Sequence, residues 1–361
     1  MLVENLKFTY LKAIGIVLIV LGHSGGGGIL QVFFESWFPI YSFHVPLFVF
    51  IAGYFYRETL SATKYVWKRF KRLIIPFYGW HLFYGILLTL LTIVGIVNFG
   101  KTITLQNFFV DPWIRWNSGY DFNLASWFLI WLFSIQAIYV IIRKTFKIKN
   151  EYLLLIVFLT GGLIGTYMST LELYSDPLTE QLIKLLFGLP FIQFGYLYRN
   201  KLEKYDKPSY KSFIIVFLIQ IILIAFFKNE YPFNFVVGGG IFYNVFLPFI
   251  TSLTGIWFWL QICTILSNKL GNNKITSYLG NHTLDIMIHH MFAFWLLNTL
   301  FYAIGAPGFN IPEYRTAIFY EYLINDDSHF LILYALLGLA IPIGISKITS
   351  RIKFRLKNWK G

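Results

Sequence analysis

The sequence is poor in cysteine and in charge. A single cysteine, Cys263, stands among 361 residues, which excludes an internal disulfide and any metal centre built on several thiolates. Charged residues make up 13% of the chain and apolar residues 57%, against roughly 25% and 45–50% in a soluble globular domain. No low-complexity tract or obvious internal repeat interrupts it, and no loop is long enough for a second domain. A Gly-x-Ser-x-Gly elbow is missing, so a serine acyl-enzyme of the hydrolase type has no support. No His-Glu-x-x-His or cysteine-based ligand pattern accompanies the histidines, so no metal is expected.

What fills the chain is apolar and aromatic, with 39 Phe, 24 Tyr and 11 Trp. Uncharged stretches recur from end to end and predict an all-α, polytopic integral membrane protein with about ten transmembrane helices. They lie near 8–27, 39–56, 73–98, 122–142, 152–170, 182–198, 211–227, 239–265, 283–305 and 328–349. The first has no small-residue cleavage site and reads as a retained span, so residues 1–361 form a single transmembrane domain.

The net charge of +13 raises the question of nucleic acid, and its placement answers it. Lys and Arg concentrate in alternate loops, as in Arg57–Arg72, Arg143–Lys149, Arg199–Lys211 and the tail from Lys347. The opposite loops carry Asp111, Asp121, Glu172, Asp176, Glu313, Glu321, Asp326 and Asp327 instead. That asymmetry puts both termini in the cytoplasm and leaves no need for a nucleic-acid partner.

Ionisable side chains within a span are costly and are functional candidates by default. Lys12 and His23 both interrupt the first span. Eleven residues at about 100° each come to about 1100°, three turns plus about 20°, so the two share a helix face about 16 Å apart along the axis. Four glycines, Gly25–Gly28, follow. The second span returns from outside through Phe43-His44-Val45-Pro46, which brings His44 to about the depth of His23. Two imidazoles at one depth suit a base and its orienter, or a base and a donor to an oxyanion.

Arg69-Phe70-Lys71-Arg72 precedes the third span. Guanidinium forks suit phosphate, although such clusters also set topology. With Lys12 on the same side, Arg69 and Arg72 suggest a polyphosphate held at the inner mouth. The longest outer stretches, near 99–123 and 306–327, carry Trp116, Tyr120 and Glu321 among other aromatic and polar groups. Aromatic faces and carboxylates suit sugar contacts, and an interfacial aromatic belt is the plainer reading of the tryptophans. In span nine, Asp285 and His289 share a face and, with His290 and His81, read as polar lining of an interior cavity.

Taken together, these blocks resemble acyltransferase family 3, integral membrane O-acyltransferases of bacterial cell-surface glycans. A basic residue, ten intervening positions and a histidine in span one, then FHVPLFVFIAGYFYR, RFKR before LIIP, SWFL and YLGNHTLDIMIHH, match its usual blocks in order over about residues 7–350. Lys12 stands where the family more often has arginine, and lysine at this place resembles the fucose 4-O-acetylase-like branch. The resemblance implies acyl-CoA, most often acetyl-CoA, as donor. It implies a cell-surface polysaccharide or lipid-linked saccharide as acceptor, and a multi-pass location in the bacterial cytoplasmic membrane. It also implies His23 as general base with His44 beside it, and adds Trp127, within SWFL, to the acceptor contacts. The rival classes are a transporter or flippase of a glycan intermediate, and a membrane acyltransferase using His289 or His290. The paired halves of many transporters have no counterpart here.

Overall fold

The computed structural model describes residues 5–24, 42–115, 120–207, 209–227, 236–322 and 331–359. Within them the chain is helical, with one isolated bridge between Val236 and Ile241. Helix α1, Leu6–His23, starts where the Asn5 side chain accepts from Phe8 N and runs to the edge of the glycine stretch. Helix α2 is His44–Tyr54. Helix α3, Ala62–Arg69, starts at the Ser61 cap and passes through a π-helical turn, Phe70–Ile74, into α4, Ile75–Ile93. Pro76 gives the turn its reason: a proline lacks the amide hydrogen and its ring crowds the carbonyl four residues back, here that of Arg72. A wider turn relieves the crowding.

The short α5, Asp111–Ile114, lies in the loop before a 3₁₀ turn, Asp121–Ser126, that leads into α6, Trp127–Phe146. Then come α7, Glu151–Thr170, capped by Asn150, and α8, Pro177–Leu197, capped by Asp176. Next are α9, Tyr210–Phe227, α10, Leu247–Leu270, and α11, Lys274–Asn281. The chain closes with α12, Thr283–Ala303, α13, Ile311–Thr316, and α14, Leu331–Trp359.

Eight of the helical segments are long and apolar enough to cross a membrane. The other two expected spans are helical but differ from the pattern. Helix α2 has 11 residues, about 16 Å at 1.5 Å per residue, roughly half a hydrocarbon core of about 30 Å. Helix α8 buries Glu180 and Lys184 in an ion pair at 2.9 Å, which dilutes its apolar character. Large apolar side chains such as Ile93, Leu90, Phe226 and Ile214 face outward, whereas histidines, glutamines and asparagines are buried inside. That inversion suits a bilayer.

Helix α1 is the hub. It packs against α2, α10, α11, α12 and α14. Its start is pinned by Lys7, whose Nζ donates to Glu203 Oε1 at 2.7 Å and to the Tyr198 hydroxyl at 2.9 Å. Helices α2 and α8 cross at reciprocal glycines. A Cβ on Gly53 would sit 1.9 Å from the Ile192 carbonyl oxygen, and one on Gly195 would sit 2.0 Å from that of Phe50. Small residues at such crossings let backbones meet, which is how helices associate in lipid.

Candidate active site

A cavity of about 530 Å³ opens at the end of the bundle where α1 and α12 begin. Lys12 enters it from α1, Arg57 from the loop after α2, Lys68 and Arg69 from α3, and Arg72 from the π-helical turn. Among the described residues no carboxylate lines it, and five cationic side chains do, so the cavity carries a positive potential. The rest of the wall is largely apolar, with Phe48 and Ile51 of α2 and Phe128, Leu129 and Leu132 of α6. Gln136 adds an amide, occupied by the Tyr65 hydroxyl at 3.0 Å. The Arg69 guanidinium lies 5.0 Å above the Tyr65 ring, and its Nε is buried with no protein partner among the described residues. A cationic N–H left open in a buried place is a ready donor to an anion.

The lip of this cavity is tied down from outside. Glu58, between Arg57 and Thr59, receives a hydrogen bond from Arg143 Nη2 and one from the Tyr196 hydroxyl at 3.1 Å. Lys144 Nζ donates to the Glu58 carbonyl at 2.9 Å. Arg143 also forks onto Glu151, at 2.6 and 2.7 Å. Partial burial alone would raise the Glu58 carboxyl, but the Arg143 hydrogen bond and charge outweigh it and hold that carboxyl below its ordinary range. The contact fixes the backbone that carries Arg57.

At the other end of α1 stands an imidazole pair. His23 Nδ1 and His290 Nε2 are 3.0 Å apart, with the rings stacked at a centroid distance of 5.0 Å. His290 is fully buried on α12, and its Nδ1 lies 2.8 Å from the Ile286 carbonyl oxygen one turn earlier. Met287, the last α12 residue in the cavity wall, precedes His290 by three residues, about 4.5 Å along the axis. The cationic cavity therefore reaches to within a turn of the imidazole pair.

The residues singled out in the sequence separate into groups. Lys12, Arg69 and Arg72 come together in the cavity wall. The imidazole across from His23 is His290, whereas His44 opens α2 as a buried residue. Tyr120 is fully buried, its ring 4.4 Å from that of His81. Trp127 starts α6, half-buried, with Lys184 Nζ 5.8 Å from its ring. Glu321 lies half-buried in the stretch after α13, and burial pushes its carboxyl up to about 8. Trp116 lies outside the described residues. His289 faces away from the pair, its Nδ1 2.7 Å from the Tyr84 hydroxyl. Asp285 accepts from Ser346 Oγ at 2.8 Å. Among the described residues no group of three or more metal-ligating side chains occurs.

Sequence reasoning missed the pairing of His290 with His23, and it counted Arg57 and Lys68 only as topology signals. The doubled histidine, His289-His290, was the one visible hint.

An acyltransferase domain model, Acyl_transf_3, matches residues 5–347. The chain belongs to acyltransferase family 3 and is a multi-pass membrane acyltransferase. The match is to the family and does not single out a branch within it. No curated protein and no solved structure matches the chain.

Proposed function

We propose that the protein moves an acyl group, acetyl in the simplest case, from cytoplasmic acyl-CoA to a hydroxyl of a cell-surface polysaccharide or lipid-linked saccharide, with His23 as general base. One observation carries this reading: a cavity lined by five cations and, among the described residues, no carboxylate ends one helical turn from a histidine pair. Coenzyme A is a multiply phosphorylated nucleotide on a long, mostly apolar arm. Arg69, Arg72, Arg57, Lys68 and Lys12 suit its phosphates, and Phe48, Ile51, Phe128 and Leu129 suit its arm. The spacing of about 16 Å from Lys12 to His23 is comparable to the reach of that arm, which delivers the thioester to the imidazoles.

In the reaction, His23 Nε2 takes the proton of the acceptor hydroxyl as its oxygen attacks the thioester carbonyl carbon. The tetrahedral intermediate collapses, the carbon–sulfur bond breaks, and the thiolate recovers the proton from His23. The products are an ester and free coenzyme A. His44 is retained as a candidate donor to the oxyanion, and Trp116, Tyr120, Trp127 and Glu321 as acceptor contacts. The distribution of Lys and Arg supports a cytoplasmic mouth for the cavity and cytoplasmic termini.

The test compares cells carrying the wild type, His23→Ala or no protein, with mass spectrometry of their surface glycan. An acyl increment present only with the wild type is expected. Equal acylation by His23→Ala would remove His23 as the base, and the absence of any acyl increment in all three would overturn the acceptor class.

A further inference from the structure

The polarity of the hydrogen bonds around His290 identifies the reactive nitrogen of His23. A carbonyl oxygen only accepts, so the contact from His290 Nδ1 to the Ile286 carbonyl at 2.8 Å requires the hydrogen on Nδ1. His290 is fully buried and, among the described residues, has no carboxylate as a hydrogen-bond partner, which makes a second proton on it costly. Its Nε2 therefore presents a lone pair. The hydrogen in the 3.0 Å contact then belongs to His23 Nδ1, and the lone pair of the neutral His23 ring is left on Nε2.

We propose that His290 is the positioning residue that fixes His23 as its Nδ1–H tautomer and aims Nε2 at the acceptor hydroxyl. The inference rests on the reading of His23 as general base. His23 is the last residue of α1 and is only half-buried, and its ring is held by the Ile19 backbone one turn earlier as well as by His290. His290 lies in mid-helix, with Ile286 one turn before it and Phe294, at 5.8 Å, one turn after. Helix α12 is itself packed against α14 and the 3₁₀ turn before α6. The ordering is thus carried from a buried helix through one neutral imidazole to a second imidazole at a helix end.

The arrangement also serves the charged state. After His23 takes the hydroxyl proton on Nε2, its Nδ1–H still points at the His290 lone pair, and a hydrogen bond to a cation is stronger than one to a neutral ring. The proton is held there until the departing thiolate collects it, and no proton passes through His290. Both ring nitrogens of His290 are occupied, so His290 is not itself the base.

The experiment uses full-length protein in native membranes, with labelled acetyl-CoA and the host's own glycan as acceptor. His290→Phe keeps a ring of similar size but removes the acceptor for His23 Nδ1–H, and His290→Gln keeps a side-chain oxygen that can accept. With Phe, kcat should fall on the order of 10²-fold or more while the donor KM changes less than about threefold. With Gln, part of the loss in kcat should return.

Solid-state NMR of the ring nitrogens in bilayers should find His23 protonated on Nδ1 in the wild type, a shift toward Nε2 protonation in His290→Phe, and a smaller shift in His290→Gln, whose side-chain oxygen still accepts. This readout stands even where the Phe variant folds poorly. Wild-type-like kcat in His290→Phe overturns the inference, and so does a wild-type His23 that carries its hydrogen on Nε2. Where His23→Ala is inactive and His290→Phe is fully active, the positioning role alone fails. Where His23→Ala retains full activity, the general-base reading fails first.

Discussion

The hydrogen bond between His23 and His290, at 3.0 Å, joins residues 267 positions apart in the chain and ties the end of α1 to the middle of α12. Both helices also line the cationic cavity, α1 through Lys12 and α12 through its first turn. The two ends of the candidate site are therefore mounted on the same pair of helices, and the distance between them is set by helix rise and not by loops.

The cavity predicts a salt-sensitive donor affinity. Removing one cation that contacts phosphate costs about 1.5–3 kcal/mol, so Arg69→Ala should raise the KM for acetyl-CoA roughly 10- to 100-fold with a smaller change in kcat. Lys12→Arg should retain more affinity than Lys12→Ala. Added salt should weaken donor binding in the wild type more than in Arg69→Ala. A KM insensitive to both Arg69→Ala and salt would place the donor elsewhere.

Arg143 predicts a link between the lip and the donor. Its side chain is 5% exposed between Glu58 and Glu151, and removing one partner of a buried pair leaves the other uncompensated. Arg143→Met should cost on the order of 3 kcal/mol, seen as a lower melting temperature in detergent. The donor KM should also rise, because the loop that carries Arg57 then keeps only the Tyr196 and Lys144 contacts to Glu58. An unchanged melting temperature would show that the two carboxylates find other partners.

Glu321 predicts a pH trend. Burial lifts its carboxyl from 4.5 to about 8, so the folded protein binds a proton that the unfolded chain has released. The stabilising difference is fully present below about pH 4.5 and is lost as pH rises through about 8. Between those values the wild type should lose thermal stability as pH rises, and Glu321→Gln should lose less. Parallel melting curves for the two proteins across that window would refute the assignment.

The crossing of α2 and α8 predicts intolerance to one methyl group. At Gly195 a Cβ would lie 2.0 Å from the Phe50 carbonyl oxygen, a backbone atom that cannot rotate aside. Gly195→Ala should cost about 1–3 kcal/mol or more. Gly344→Ala, where a Cβ would meet nothing within 4 Å, should be close to neutral by the same melting assay.

Much of the scaffold was legible because a bilayer imposes few rules and strong ones. Apolar run length marked the helices, and the alternation of Lys and Arg gave their direction. Lys12, Arg69 and Arg72 were legible as one group because each lies near the end of its apolar run that the Lys and Arg distribution assigns to the same side. The partner of His23 was not legible. Equal depth pointed to His44, but depth along the normal says nothing of which helices are neighbours around it. Helices that are apolar on every side, such as α12, carry no stripe to reveal the face that meets α1. The short α2 was hidden for a related reason, since its flanks are as apolar as its core. The π-helical turn was foreshadowed only by Pro76.

That turn has an evolutionary side. A π turn holds one residue more than an α turn, so Phe70–Ile74 amounts to a single inserted residue. Deleting one residue there would rotate everything downstream by about 100°. His81 and Tyr84 would then leave the interior while Arg69 stayed in place. The basic end of α3 and the inner face of α4 are therefore kept in phase by one codon. Amino-acid exchange on either side of it is far easier to accommodate than any change in its length.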